Sequence, residues 1–319
     1  GPLIARFGEV KVSLPGGCAW GPRPVDYHLK GLEELGAKVT LDSGYILAES
    51  KKLQGKTIRF EYPSVGATGN IAMAAVTANG TTIIENAARE PEIEQLCIFL
   101  NKMGADISGV GTDKLIIKGV SQLEPADIEV IPDRVEAGTF LMAGAALGEV
   151  TINKIVPTHL RTVLIKLEET GAKVRTNQNS ITITRSDKII PVDMTTAVFP
   201  GFPTDLQAQW VALMMLAEGS SVITDTVYHD RFSHVPELNR LGANIHVENN
   251  VAIIRGVKKL VGAPVMSTDI RASASLINGG LMAHGRTEVS RIYHIDRGYE
   301  RIEEKFRSLG ADIMRKTES

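Results

Sequence analysis

Cysteine is scarce in this chain: Cys18 and Cys97 are its only two in 319 residues. They form no Cys-x-x-Cys pair, and no Cys/His cluster has metal-ligand spacing. This argues against a disulfide framework and a structural zinc site, and for a reducing compartment, the cytoplasm. An excess of either charge is also missing. Lys and Arg number 35 against 37 Asp and Glu, a formal net charge of −2, whereas nucleic-acid binders usually carry a marked basic excess. No apolar run reaches the roughly 18 residues of a membrane span. Residues 1–8 (GPLIARFG) carry neither a signal nor a transit pattern. What remains is 43% hydrophobic, and at about 100–200 residues per domain the length suggests two domains, each with its own core.

A repeat organises the chain. An apolar-Gly-Ala-polar tetrapeptide recurs five times, once with Thr in the first place, with glycines at 36, 104, 171, 242 and 310, spaced by 68, 67, 71 and 68 residues. Each copy follows a segment of helical spacing, such as 25–35 (VDYHLKGLEEL) or 93–103 (IEQLCIFLNKM). Where the chain continues, a short β-type segment follows, such as 180–184 (SITIT). The glycine therefore suits a helix C′ position needing positive φ. A second marker interleaves: stretches rich in Ala, Gly and Ser that end at Gly80, Gly148, Gly219 and Gly285, spaced by 68, 71 and 66, with Gly8 lying 72 before the first. Helices apolar nearly all round should be buried, while those before the Gly-Ala motif are amphipathic. The expected unit is buried helix, strand, amphipathic helix, strand, turn, strand. Residues 1–8 stand as the tail of the first buried helix, so the first copy is expected to be incomplete. The loops differ too much between copies for a simple solenoid. The expected domain break lies at Pro132–Asp133, giving domains 1–132 and 133–319.

Several loops could carry chemistry. Residues 14–27 (LPGGCAWGPRPVDY) place Cys18 in a glycine- and proline-rich loop, five residues from Arg23, where a cation favours the thiolate; an ordinary turn holding a small apolar residue is the alternative. Cys97, at an apolar helix position, reads as inert core. Residues 64–70 (SVGATGN) open a buried helix, and Ser64 there could cap it or help bind an anion. Asp205, in 202–209 (FPTDLQAQ), is either a helix cap or a base at the mouth of an otherwise uncharged helix. Asp269 and Arg271 in 268–276 (TDIRASASL) repeat that arrangement, and 291–301 (RIYHIDRGYER) adds Arg291, Arg297 and Arg301. Such arginines suit carboxylate or phosphate recognition, although Arg301 reads better as a helix-surface ion pair. Arg231 is similar in kind, and His234 reads as structural. From the residues alone the chain is an enzyme for anionic substrates with no reaction assigned.

These segments, with 80–93 (GTTIIENAAREPEI) and 231–238 (RFSHVPEL), resemble the UDP-N-acetylglucosamine 1-carboxyvinyltransferase family along the whole chain. The resemblance implies an α/β fold of repeated βαβαββ units. They form two enolpyruvyl-transferase-type inside-out α/β barrel domains, helices inside and sheets outside, with the first domain incomplete. It implies transfer of the enolpyruvyl group of phosphoenolpyruvate to the 3′-hydroxyl of UDP-N-acetylglucosamine with release of phosphate, in peptidoglycan synthesis. The sister transferase acting on shikimate 3-phosphate is the alternative activity, and a sugar-nucleotide-binding fragment without turnover is another.

The family's roles carry over by position. Cys18 is implied as general acid and fosfomycin target, in a loop that closes as a lid. Arg23, Pro24, Val25, Asp26 and Tyr27 contact the UDP-sugar, Arg23 also reaching the phosphoenolpyruvate phosphate. Tyr62, Pro63, Ser64, Val65 and Gly66 form the diphosphate-binding stretch. Asp205 serves the sugar 3′-hydroxyl, with Val227 a second sugar-nucleotide contact. Asp269, Arg271 and Arg297 lie on the phosphoenolpyruvate side, Arg297 as a catalytic residue, and Arg231 sits in a matching motif. A family Lys-Asn pair and an Arg and a Trp belong to a further N-terminal stretch that has no counterpart among these residues. Neither metal nor cofactor is implied. The expected partners are the two small substrates, with no nucleic acid and no membrane, and the expected state is a monomer.

Overall fold

The computed structural model describes residues 1–15 and 25–316. The chain divides into two compact units, Gly1–Ile131 and Pro132–Ser319, each with its own apolar core.

In the first unit, helix Pro2–Phe7, strand Glu9–Ser13, helix Asp26–Glu34 and strands Lys38–Asp42 and Tyr45–Glu49 form one copy of the repeat. Its three strands make an antiparallel sheet with Tyr45–Glu49 in the centre. The next copy runs through strand Thr57–Arg59, helix Val65–Ala75, strand Thr81–Glu85, helix Pro91–Lys102 and strands Asp106–Ser108 and Lys114–Lys118. This is a full βαβαββ unit, whose short first strand pairs parallel with Thr81–Glu85. Reading the residues alone overlooks that strand because three residues are too few to show a period.

The second unit repeats the plan. Helices Arg134–Leu147, Gln207–Met214 and Ile270–Met282 head its three copies and pack against one another. Every residue of Gln207–Met214 is buried, as an all-round apolar helix requires. Glycine makes room for a neighbouring side chain: a Cβ on Gly138 would lie 2.4 Å from Leu206 Cδ1. The sheets lie outside these helices, with alternate residues facing in; Val251–Arg255, for example, buries Ala252 and Ile254.

The strands of each sheet come from a single copy. The sheets have two to four strands, and among the described residues none closes with another into a hydrogen-bonded barrel. The expected inside-out layering is present, with ladders that end at the edges of each copy. No helix among the described residues is long and apolar enough to cross a membrane.

The Gly-Ala motif acts as its spacing predicts. Gly36, Gly104, Gly171, Gly242 and Gly310 all have φ between 87° and 98°, just past a helix end. At Gly36, Gly104, Gly242 and Gly310 an added Cβ would meet nothing within 4 Å, so the backbone conformation and not crowding reserves these places for glycine. The residue three before the glycine braces the turn in three copies. Asn101 exchanges hydrogen bonds with the backbone N–H and C=O of Ile107, Asn239 does so with Ile245, and Arg307 donates to the carbonyl of Ile313.

Candidate active site

Cys18, Arg23 and Pro24 lie outside the described residues. The remaining site residues fall into one group in each unit.

In the first unit, Val25 is the N-cap of helix Asp26–Glu34, and Asp26 begins it. Tyr27 packs on Phe60 with ring centroids 5.7 Å apart. Tyr62 and Val65 are exposed. Ser64 caps helix Val65–Ala75, its Oγ accepting from the N–H of Ala67 at 3.3 Å, which leaves the anion-binding alternative open beside the capping one. A Cβ at Gly66 would lie 3.2 Å from Nε2 of His28, so the start of this helix and the 25–28 turn are neighbours. Two segments far apart in sequence thus meet. His28 joins them unannounced by its sequence; burial, and then the nearby N-terminal charge, lower its pKa against the pull of Asp26.

The second unit holds a tighter cluster. Asp205 sits in the 3-10 turn Thr204–Leu206 ahead of helix Gln207–Met214, and its carboxylate caps neither. Oδ1 lies 2.7 Å from Arg231 Nη2 and Oδ2 lies 2.8 Å from Arg271 Nη2. The arginine side chains are 7% and 15% exposed and that of Asp205 39%, so the carboxylate is the open side of the cluster. Burial works to raise its pKa, but the charges of Arg271 and Arg231 and their hydrogen bonds outweigh this and hold it at about 2.

Arg271 is gripped from behind. Thr139 Oγ1 spends its hydrogen on the carbonyl of Val135, so the Tyr299 hydroxyl 2.8 Å away must donate to Thr139. The phenolic oxygen is then left to accept from Gln209 Nε2 at 3.3 Å and Arg271 Nη1 at 3.5 Å. Thr139, Gln209 and Arg271 come from the three buried helices, so the repeat's inner seam ends on this arginine.

Other expected residues lie nearby in different states. Asp269 is the N-cap of helix Ile270–Met282: Oδ1 accepts from the N–H of Arg271 and Ala272, and Oδ2 from the hydroxyls of Thr268 and Ser233. Its lone pairs are largely occupied, which suits a positioning part. Val227 donates its N–H to Asp225 at 2.9 Å. Arg231 also stacks over Tyr228. Arg297, exposed at the end of the 3-10 turn Ile292–Arg297, is joined to Asp205 by no described ion pair or hydrogen bond. Arg301 pairs with Glu304 at 3.6 Å. His234 is buried and its pKa is lowered to about 4, chiefly by burial, with Asp269 opposing and Arg231 assisting. Cys97 is buried, and burial pushes its thiol up to about 11.

Asp225, Thr204, Gln209 and Tyr299 escape a reading of the sequence. Gln209 leaves a faint trace as a polar residue within an apolar helix; the others look like ordinary loop residues. Among the described residues no group of three or more His, Cys, Asp or Glu could hold a metal ion.

Residues 1–306 match the family model of EPSP synthase (3-phosphoshikimate 1-carboxyvinyltransferase). The chain is 55% identical over 318 residues to a UDP-N-acetylglucosamine 1-carboxyvinyltransferase of Chlorobium luteolum, covering 99% of this chain and 75% of that protein. It is 52% identical over 316 residues to the protein of that name from Myxococcus xanthus, with the same coverage. Among solved structures, the enolpyruvyl transferase NikO from Streptomyces tendae superposes with a TM-score of 0.88 at 27% identity, over 98% of this chain and 75% of that one. An EPSP synthase from Acinetobacter baumannii, at 19% identity and a TM-score of 0.71 over 98% of this chain and 78% of its own, shares the fold. The chain belongs to the EPSP synthase family and, within it, to the UDP-N-acetylglucosamine 1-carboxyvinyltransferases.

Proposed function

We propose that the chain transfers the enolpyruvyl group of phosphoenolpyruvate to the 3′-hydroxyl of UDP-N-acetylglucosamine, releasing phosphate, as the committed step of peptidoglycan synthesis. The observation that carries the reading is Asp205, an ionised carboxylate at the open side of two buried arginines, in a chain more than half identical to enzymes of that name.

The chemistry follows from charge. A proton added to C3 of phosphoenolpyruvate leaves C2 electron-poor; Cys18 supplies it in this reading. The sugar hydroxyl adds to C2 while Asp205 takes its proton. C3 then gives a proton back and the C2–O bond to phosphate breaks, leaving an enol ether and inorganic phosphate. A carboxylate held at about 2 is a weak base at rest. An anionic substrate that engages Arg231 or Arg271 weakens their hold and raises its basicity, so the base strengthens once substrate has arrived. Arg297, exposed and outside the Asp205 cluster, is free to meet phosphate or carboxylate.

The remaining assignments belong to the same reading. Arg23, Pro24, Val25, Asp26 and Tyr27, with Tyr62, Pro63, Ser64, Val65 and Gly66, hold the sugar nucleotide, with Val227 a second sugar-nucleotide contact. Asp269 sets the start of the helix that carries Arg271. The chain acts as a cytoplasmic monomer, its activity bears on cell shape and division, and fosfomycin alkylates Cys18.

The test is phosphate release from phosphoenolpyruvate with UDP-N-acetylglucosamine, with shikimate 3-phosphate, and with neither. Release that depends on the sugar nucleotide supports the reading. Release with shikimate 3-phosphate would reassign the acceptor. Binding of the sugar nucleotide without release would leave a binding protein.

A further inference from the structure

Asp225 is fully buried, directly follows strand Ser220–Thr224, and touches neither Asp205 nor Arg231 through any described contact. A buried carboxylate is tolerated only when hydrogen-bonded, and its two oxygens are used differently. Oδ1 accepts from the N–H groups of Val227 and Tyr228 at 2.9 and 2.8 Å and from the Thr196 hydroxyl at 2.8 Å. Those bonds shape the 225–228 turn. Oδ2 accepts from the Thr204 hydroxyl at 2.7 Å. With its hydrogen committed there, the Thr204 oxygen can only accept in other directions, and Arg231 Nη1 donates to it at 3.0 Å. The other terminal nitrogen of the same guanidinium is the one paired with Asp205.

We propose that Asp225 and Thr204 are positioning residues for the transfer: the buried carboxylate fixes the Thr204 hydroxyl as an acceptor, which locks Arg231 in the orientation that meets Asp205. The inference rests on the reading of Asp205 as the base. A hydroxyl that donates to a carboxylate is a stronger acceptor, so the anionic charge of Asp225 is felt at Arg231 one residue removed. Anchored at both Nη1 and Nη2, the planar guanidinium cannot turn about its stem, and its distance to Asp205 is set by the fold. Asp225 thereby ties the turn containing Val227 to the segment containing Asp205.

A turn-forming role for Asp225 would need only its Oδ1 bonds, and this separates the two ideas. Asp225→Asn keeps those bonds with its amide oxygen and turns an N–H₂ donor toward Thr204, so Thr204 and Arg231 lose their arrangement while the turn remains. Thr204→Val removes the hydroxyl at nearly constant shape, and Thr204→Ser restores it.

The experiment pairs crystal structures of the three variants with steady-state phosphate release on the same 319-residue chain. Thr204→Val and Asp225→Asn are expected to move Arg231 off Asp205 and lower kcat about tenfold or more, with KM for UDP-N-acetylglucosamine within about threefold, and Thr204→Ser is expected to rescue both. Arg231 unmoved in Thr204→Val, or Thr204→Ser as impaired as Thr204→Val, overturns the proposal. Should Thr204→Val not fold, Asp225→Asn gives the same two readouts. If the parent chain releases no phosphate, the catalytic reading fails by itself, while the position of Arg231 in the variant crystals still decides the relay.

Discussion

Asp205 Oδ1 rests 2.7 Å from Nη2 of Arg231, and the cation is much the more buried partner, 7% exposed against 39%. Removing the carboxylate therefore leaves two guanidinium groups facing each other with their shared anion gone. Asp205→Asn is expected to lower phosphate release by about two to four decades, as loss of a general base does, while calorimetric affinity for the sugar nucleotide changes only a few-fold. Near-normal turnover would reduce Asp205 to an arginine organiser.

The same pair sets a pH dependence. The folded-state pKa of Asp205, about 2, lies below the roughly 3.9 of a free aspartate. Its ionisation therefore adds stability that is complete above the unfolded value and lost as pH falls toward 2. Urea unfolding should show the gap between the parent chain and Asp205→Asn constant from pH 7 to 5 and narrowing below pH 4.

His234 acts earlier in an acid titration. Its folded-state pKa, about 4, lies below the roughly 6.5 of free histidine, so the unfolded chain takes up the proton first. Stability should fall between pH 6.5 and 4, by on the order of 3 kcal/mol from this residue. His234→Gln should flatten that part of the urea-midpoint profile. An unchanged slope would place the loss in other groups.

Gly104→Ala and Gly242→Ala test the repeat. Each puts a Cβ on a left-handed residue without any clash, so each is expected to cost about 1–2 kcal/mol. Because they lie in different units, the double variant should show each single loss unchanged in denaturant titrations of the corresponding unit's transition.

Ser64→Ala removes the Ala67 cap and is expected to cost about 1 kcal/mol of stability. If Ser64 also holds the diphosphate, affinity for UDP falls as well. A stability loss with unchanged UDP binding would make it a cap alone.

Much of this architecture is written in spacing. The five glycines past helix ends, the all-buried helices and the amphipathic ones can each be read because a period of about 68 residues repeats them. The first strand of the unit is lost to such a reading, since Met194–Thr195 is too short to show alternation. Asp205, Arg231 and Arg271 stand out in sequence as charges near helix starts, yet their convergence depends on three separated segments folding together. Asp225 and Tyr299 work only through distant partners, Thr204 in one case and Thr139, Gln209 and Arg271 in the other. No local pattern announces a residue whose role is defined by contacts far along the chain.

Because every sheet is drawn from one copy of the repeat, no strand ladder among the described residues crosses from one copy to the next. In the second unit the copies meet chiefly through their packed inner helices. Two kinds of opening are then open to that unit. A sheet can release its amides to solvent one copy at a time, as a local fluctuation that leaves its neighbours' backbone hydrogen bonds whole. The interlocked helices have no such independence: parting one from the others exposes apolar surface on all of them, so their amides should exchange together, in the slowest and most cooperative event of the unit. Arg271, which holds one oxygen of Asp205, is tied to that slow interior, while the sheets around it are free to breathe.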